Sequence, residues 1–205
     1  PEVFACPEDI SSSACEPNEI LIFFIDAESL SEPGEEHIVL LRSVDGGETW
    51  SGKETITLNG KTSAGPAVDP SIVMLEDGSI RLYYYGPDGP IDPFSDGDNS
   101  VYSAVSSDGL DFTVEEGIRL THTNLTDPDV TFWNDKWYMA YSTGLTSGIA
   151  VSEDGLVFEE LGEVVENVGG VPGLFADFEQ LRIYGCGRDG GIASAYSTDG
   201  EIFTK

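Results

Sequence analysis

The stretch SSDGLDF at residues 106–112 recurs as SEDGLVF at 152–158 and STDGEIF at 197–203, and in a longer form as SVDGGETW at 43–50. Every copy begins Ser-x-Asp-Gly and ends on an aromatic residue. The serine and aspartate side chains can bind backbone N–H groups within a turn, and glycine supplies a positive φ. Each copy therefore predicts a tight hairpin whose aromatic residue begins the next strand and enters the core: Trp50, Phe112, Phe158 and Phe203.

Two further strand patterns precede these hairpins. Immediately upstream of each copy is a short β-branched or alternating segment: HIVLLRS, VYSAVS, GIAVS and IASAYS. Further upstream, DPSIVMLEDGSIRLYYYG, TDPDVTFWNDKWYMAYSTG and GVPGLFADFEQLRIYGCG, starting at residues 69, 126 and 170, each read as strand, polar turn and aromatic-rich strand. The first residues of the chain fit the same template, and this alignment equates four prolines: Pro1, Pro70, Pro128 and Pro172.

The repeat predicts an all-β fold, a β-propeller of four-stranded antiparallel blades in a single domain. The blades are expected at about residues 1–62, 63–121, 122–167 and 168–205. No segment shows the 3.6-residue periodicity of a helix. The four blades either close on themselves or form part of a longer, five-bladed chain.

The charge balance restricts the partners of the protein. With 38 acidic and 9 basic residues, the formal net charge is −29. Such a surface repels phosphate backbones and anionic lipids, so nucleic acid is not an expected partner. No apolar run is long enough to span a bilayer, and membrane insertion is not expected either. The acidity suits cations and neutral or basic ligands, or it serves solubility alone.

The three cysteines predict one disulfide bond. Cys6 and Cys15 flank the polar stretch PEDISSSA and are close enough in sequence to join one hairpin. A pair of free thiols is the alternative. Cys186 is expected to be free and mostly buried. A disulfide indicates an oxidising compartment, so we expect the protein to be extracellular, either secreted or at the cell surface.

Two groups of proteins resemble this chain at the residues quoted above. The segment Ser43–Trp50 resembles the Asp-box (BNR) repeats of sialidases and other propellers. The Asp-Pro strand with its aromatic partner is similar to the five-bladed glycoside hydrolases, which include arabinanases, β-xylosidases, invertases and levansucrases. In these enzymes carboxylates at the inner ends of successive blades meet in a central funnel, and glycoside cleavage uses one as acid and one in ionised form.

The resemblance implies catalytic roles for two aspartates. Asp69 and Asp127 match the family's positions in blades 2 and 3, whereas the blade 1 equivalent would precede Pro1. The family's acid comes from a Glu-Gly-Pro motif, and the two candidate segments here, Thr126-Asp127-Pro128 and Gly170-Val171-Pro172, both lack a glutamate. Alternatively, Asp69 and Asp127 only cap the entry to a strand by accepting backbone N–H groups.

The remaining candidates are a metal loop and two aromatic residues. Asp92, Asp96 and Asp98 lie in an oxygen-rich insertion that suits Ca²⁺, although a solvated acidic loop fits the same pattern. No cofactor is required. Phe94 and Trp133 are candidates for stacking on sugar rings; the alternative for aromatic residues in strands is packing between blades.

Two functions from different classes follow from these residues. The first is a secreted, glycoside hydrolase-like propeller that binds or hydrolyses an extracellular polysaccharide at its axial funnel. The second is a non-catalytic binding or surface-structural propeller that contacts proteins or glycans. The sequence predicts no oligomeric state.

Overall fold

The computed structural model describes residues 2–8, 12–26, 37–61, 65–86, 97–163, 168–187 and 189–204. Strands are the only regular secondary structure in these ranges. Accordingly, the described residues include no helix long and apolar enough to cross a membrane. The strands form four sheets, and the chain has the predicted all-β propeller fold with one sheet per blade.

The first two sheets contain strands β1 to β10. The first has the order β1-β2-β3-β4, with β1 at Glu2–Ala5, β2 at Ile20–Ile25, β3 at Ile38–Ser43 and β4 at Glu54–Thr55. The second has the order β5-β9-β8-β7-β6, with β5 at Thr57–Asn59, β6 at Val68–Met74, β7 at Ile80–Gly86, β8 at Asp98–Ser106 and β9 at Asp111–Val114. The strand β10, Leu120–Thr123, pairs with the first half of β8.

The other two sheets contain β11 to β17. The third has the order β11-β12-β13-β14, at Leu125–Trp133, Lys136–Thr143, Ser147–Ser152 and Glu159–Glu163. The fourth has the order β15-β16-β17, at Gly170–Ala176, Leu181–Cys186 and Ile192–Ser197. Beyond β17, an isolated bridge between Tyr196 and Thr204 occupies the place where the other sheets have a fourth strand.

Two strands cross the expected blade limits. β5 falls within residues 1–62, yet it pairs in parallel with β9 of the second sheet. β10 extends past residue 121 and still belongs to the second sheet. Because a sheet edge accepts any extended segment that reaches it, pairing at the outer edge of a blade does not follow the period of the repeat.

The chain divides into two compact units, Pro1–Ile91 with Tyr102–Glu116, and Asp92–Val101 with Gly117–Lys205. In the first unit, apolar residues of the first two sheets form one core, in which Phe23 contacts Phe112 edge-on at 6.3 Å between ring centroids. In the second unit, the third and fourth sheets enclose a separate core that includes Tyr138, Ile149 and Ile183. Buried residues alternate with less buried ones along β2 and β16, which places one face of each strand in a core, whereas β7 is buried along its whole length.

The disulfide prediction is confirmed, because Cys6 and Cys15 are bonded with their Cα atoms 6.3 Å apart. Both sulfurs are buried at the edge of the first core. The bond closes a loop within the β1–β2 connection. Arg42 Nη1 donates to the Ala14 carbonyl at 3.0 Å, and its Nη2 donates to the Asp108 carbonyl at 2.7 Å. The connection is thereby tied to the second sheet of the same unit.

Cys186 is free, as predicted, but the prediction that it is buried is wrong, because its side chain is exposed. Side chains on β16 alternate in direction, with Leu181 and Ile183 in the core. Tyr184 and Cys186 therefore face outward on the other side of the sheet.

The Ser-x-Asp-Gly segments form the predicted turns in all four sheets. In each, the serine hydroxyl donates to Oδ1 of the aspartate at 2.8–3.0 Å. The same carboxylate accepts backbone N–H groups of the following residues, and a glycine N–H reaches the serine oxygen. The carboxylates of these aspartates therefore have a structural role, because their hydrogen bonds close the hairpin turns.

The aromatic residues that close the turns differ in burial. Phe112, Phe158 and Phe203 enter the cores as predicted, whereas Trp50 is 38 % exposed. The first copy is one residue longer, and its tryptophan Nε1 donates to the Gly47 carbonyl at 3.1 Å. The extra glycine turns the indole back onto the hairpin, so the prediction that Trp50 enters the core is wrong.

The turn carboxylates are expected to make stability depend on pH in the acid range. Hydrogen bonds from the Thr49 hydroxyl and N–H and from Ser43 lower the pKa of Asp45 from 3.8 to about 2. The N–H groups of Leu156 and Val157 and the hydroxyl of Ser152 likewise lower the pKa of Asp154. A depressed pKa in the folded state gives stability that is complete above the ordinary value near 4 and is lost as the pH falls toward the folded value.

Asp154→Asn tests this dependence. At pH 6 the free energy of unfolding of the variant should be about 0.5–2 kcal/mol lower than that of the wild type, by analogy with other side chains that cap backbone N–H groups. The gap should close as the pH falls below about 4 and the wild-type carboxyl also becomes neutral. Both proteins are unfolded with denaturant at each pH. General charge repulsion acts on both, so it cancels in the difference between them. A gap that stays constant as the pH falls well below 4 would contradict the assignment.

Candidate functional site

Three strands, β6, β11 and β15, carry the same backbone irregularity. The register shifts between Val68 and Ser71 in β6, between Thr126 and Asp129 in β11, and between Gly170 and Gly173 in β15. At each bulge the residue before a proline has a positive φ: 53° at Asp69, 48° at Asp127 and 52° at Val171. Pro70, Pro128 and Pro172 thus occupy matching positions, as the repeat alignment predicts, and Pro1 lies outside the described residues.

This backbone conformation is costly. A positive φ is uncommon for residues other than glycine, and it is least favourable for a β-branched residue such as Val171. A following proline further disfavours helical conformations of the preceding residue. Strain of this kind costs on the order of 1–3 kcal/mol per residue and persists where the surrounding structure imposes it. Bulges re-aim a side chain relative to its strand, so these three positions present side chains that a regular strand would not.

The valine bears on the role of the two aspartates. Val171 adopts the same conformation as Asp69 and Asp127 without a side chain that could accept a hydrogen bond. The bulge therefore forms without a carboxylate, and a purely structural need for aspartate at this position is not general to the repeat.

The third-sheet bulge has two ordered carboxylates. Asp127 is partly buried, and its Oδ2 accepts a hydrogen bond from the Thr126 hydroxyl at 2.8 Å, which orients the carboxylate. Two residues later, Oδ2 of Asp129 accepts the backbone N–H of Leu174 and so links β11 to β15. Asp129 was not among the sequence candidates. The only signal was the pattern DPD where the other strands read DPS and VPG.

A second polar group surrounds Tyr141, in the same unit as Asp127. The Tyr141 hydroxyl donates to Glu160 Oε1 at 2.6 Å. The Nε2 of His122 lies 3.7 Å from that same oxygen, and its ring is 5.5 Å from the Tyr141 ring. A Cβ at Gly148 would overlap the tyrosine ring, so glycine permits this packing. Sequence reasoning missed the group because its members come from β10, β12 and β14.

The other candidates are distributed as follows. Phe94, Asp92 and Asp96 lie outside the described residues. Asp98 begins β8, where its Oδ1 accepts the Thr123 hydroxyl at 2.7 Å. Within the described ranges, no group of three or more histidine, cysteine, aspartate or glutamate residues could hold a metal ion. The calcium loop stays a prediction.

Trp133 ends β11 and is 5 % exposed. Its ring lies 5.9 Å from that of Tyr138, and its Nε1 donates to the Asp177 carbonyl at 2.7 Å. Asp127 lies in the same strand six residues earlier, and strands rise about 3.3 Å per residue. Trp133 and Asp127 are therefore about 20 Å apart along β11. The proposed sugar stacking on Trp133 is therefore separate from the bulge.

Solved structures with the same fold include glycoside hydrolases. Zg3597, a family 117 glycoside hydrolase from the marine bacterium Zobellia galactanivorans, aligns with a TM-score of 0.65 at 18 % identity over 91 % of this chain and 64 % of its own. A fructofuranosidase from Schwanniomyces occidentalis complexed with fructosylnystose aligns at 0.65 and 17 % identity, over 91 % of this chain and 42 % of its own. A protein of unknown function from Dyadobacter fermentans aligns at 0.64 and 14 % identity, over 100 % and 62 %.

The present chain thus spans less than two thirds of the length of each of these proteins. At such identities the likeness establishes the fold. No family model matches the sequence, and no curated protein matches it.

Proposed function

We propose that this chain acts on carbohydrate: it is a secreted, glycoside hydrolase-like propeller that binds or hydrolyses an extracellular polysaccharide, with Asp69 and Asp127 as its functional carboxylates. The observation that carries the proposal is the repeated bulge. Both aspartates have a strained, positive-φ conformation that re-aims the side chain, and Val171 has the same conformation without a carboxylate. Strained backbone of this kind clusters at active sites and ligand-binding sites, and the valine indicates that the bulge itself does not require an aspartate.

The chemistry of glycoside cleavage fits a pair of carboxyl groups. One must donate a proton to the leaving oxygen, while the other acts in its ionised form as base or nucleophile. The hydroxyl of Thr126 orients the Asp127 carboxylate, which suits the ionised role. Asp69 is then the candidate for the second role in the pair, as acid or as a residue that tunes the pKa of the acid.

Other features agree with this proposal. The net charge of −29 favours a neutral or basic glycan over an acidic one. The Cys6–Cys15 disulfide supports an extracellular location. We also assign the four Ser-x-Asp-Gly turns to the Asp-box type, which stabilises the blades and leaves the chemistry to the bulges.

A non-catalytic glycan-binding propeller is the second candidate, and Val171 favours it. Val171 occupies one of the two positions that match the family's Glu-Gly-Pro acid, Asp127 occupies the other, and the valine side chain is 56 % exposed. A chain without that glutamate could retain sugar binding without cleavage. The two candidates therefore differ in turnover and agree in the ligand class.

One experiment separates these possibilities. The purified chain is incubated with soluble xylan, inulin, mannan and arabinan, while reducing-end release measures cleavage and affinity electrophoresis measures binding. Reducing ends released from any of these substrates would support the hydrolase. Retardation without release would support the binding propeller. If no polysaccharide is cleaved and none retards the protein, the assignment to carbohydrate is overturned.

A further inference from the structure

A cleft in the second unit lies between two hairpin turns. The β11–β12 turn forms one wall and the β15–β16 turn the other, around a volume of about 480 Å³. We call this the aromatic cleft; its lining residues are Phe132, Trp133, Asn134, Asp135, Ala176, Asp177 and Phe178. Its volume lies in the range of small-molecule pockets, which is roughly 300–1,000 Å³.

The walls of the cleft are joined and internally fixed. The Trp133 indole donates to the Asp177 carbonyl at 2.7 Å and so connects the two turns. The Asp177 carboxylate accepts the N–H groups of Glu179 and Gln180, both at 2.8 Å, and this closes the β15–β16 turn. A site that is already formed loses little conformational entropy when a ligand binds.

Two phenylalanine rings are displayed at this cleft. Phe178, at the tip of its turn, is 104 % exposed, and Phe132 is 48 % exposed. The Phe132 ring is held edge-on against Trp137, with centroids 5.2 Å apart. Turn tips favour glycine, asparagine and aspartate, and the matching turn of the second sheet has Asp77-Gly78. Phe178 contributes nothing to the core, and with Phe132 it forms an exposed apolar surface at one cleft, which fits the binding of a ligand.

The polar groups of the cleft define the charge of that ligand. Asp135 and Asp177 provide carboxylates, and no lysine or arginine is among the lining residues. The N–H groups of Glu179 and Gln180 lower the pKa of Asp177, which is therefore ionised at neutral pH. Carboxylate and amide oxygens accept hydrogen bonds from hydroxyl groups, whereas an anionic ligand would be repelled.

We propose that the aromatic cleft is a second carbohydrate-binding site, at which Phe178 and Phe132 contact the apolar face of a neutral sugar unit and Asn134 and Asp135 bind its hydroxyl groups. The ligand class rests on the proposed function above. The cleft is at the opposite end of β11 from Asp127, at a distance of about 20 Å for six residues of strand. It therefore binds a polysaccharide away from the bulge and holds the chain on the protein.

Affinity electrophoresis tests this site with xylan, inulin and mannan as neutral probes and polygalacturonate as the acidic probe. For the polysaccharide that retards the wild type, Phe178→Ala should raise the dissociation constant about tenfold. This is in the range expected for the loss of a central aromatic contact. Val157→Ala is the control, since Val157 is an exposed apolar residue (66 %) in a turn of the third sheet that does not line the cleft. It should bind like the wild type, and polygalacturonate should retard none of the proteins.

The outcomes separate this site from the proposed function. Unchanged retardation of Phe178→Ala, with a wild type that binds or cleaves polysaccharide, overturns the cleft alone. Weaker retardation of Phe178→Ala in a protein that cleaves no substrate supports the cleft and leaves the hydrolase without support. A wild type that binds and cleaves nothing overturns both. Loss of a dimer in sedimentation of Phe178→Ala, without a change in retardation, would identify a protein contact and also overturn the site.

Discussion

Asp127→Asn is expected to reduce the rate of polysaccharide cleavage by roughly 10²–10⁴, the usual contribution of a general acid or base. Asparagine has the shape of aspartate and is among the residues that tolerate a positive φ, so the bulge at Asp127 should persist. Its amide oxygen can still accept the Thr126 hydroxyl. The substitution therefore removes the charge and the capacity to take up or release a proton, and it keeps the geometry. Asp69→Asn should have an effect of the same order for the same reason.

Reducing-end kinetics and thermal melts of the same preparations decide the role of these residues. Asp154→Asn provides the matched control, because it neutralises a carboxylate that only closes a hairpin. The control variant should have a lower melting temperature than the wild type and should cleave at the wild-type rate. If Asp127→Asn instead shows this same result, with a lower melting point and an unchanged rate, the carboxylate is a cap of the strand entry and the catalytic assignment is wrong.

The fold could be predicted from the sequence because its signals are local. Hairpin turns depend on residues such as Ser106, Asp108 and Gly109, which are adjacent in the chain and bind one another. Strand faces depend on a two-residue period that is visible in any single strand. Pairing at blade edges is not local, and this explains why the parallel β5–β9 pair and the extension of β8 by β10 were not anticipated.

The candidate site could be predicted only in part for a related physical reason. The Asp-Pro pattern identified Asp69 and Asp127, but the positive φ and the bulge depend on register against the neighbouring strand. The contact of Asp129 with Leu174 joins two sheets whose alignment no single segment encodes. Phe178 is similarly ambiguous in the sequence, since an aromatic residue near a strand usually enters a core. Its exposure becomes evident only when the turn geometry is known.

The entry to β15 is expected to be the position most sensitive to a single added methyl group. A Cβ at Gly169 would lie 1.8 Å from the Cys186 carbonyl oxygen and 2.5 Å from its carbon, and glycine there has a φ of 90°. The obstacle is backbone of the paired strand β16, because Gly170 is opposite Cys186 in the register. Gly169→Ala should therefore lower the free energy of unfolding by about 3–5 kcal/mol, from overpacking together with backbone strain.

Gly190→Ala isolates the contribution of the backbone conformation. Gly190 has a similar φ of 82°, but no atom lies within 4 Å of an added Cβ. It should lose only about 1–2 kcal/mol, the cost of a left-handed conformation for a residue with a side chain. Urea denaturation of the two variants measures the difference, which should be about 2 kcal/mol or more if the clash is real. Equal losses would mean that the segment before Val171 can move away from β16. The strained conformation of Val171 would then not be imposed by the sheet, and the structural argument that sets Asp69 and Asp127 apart would fail with it.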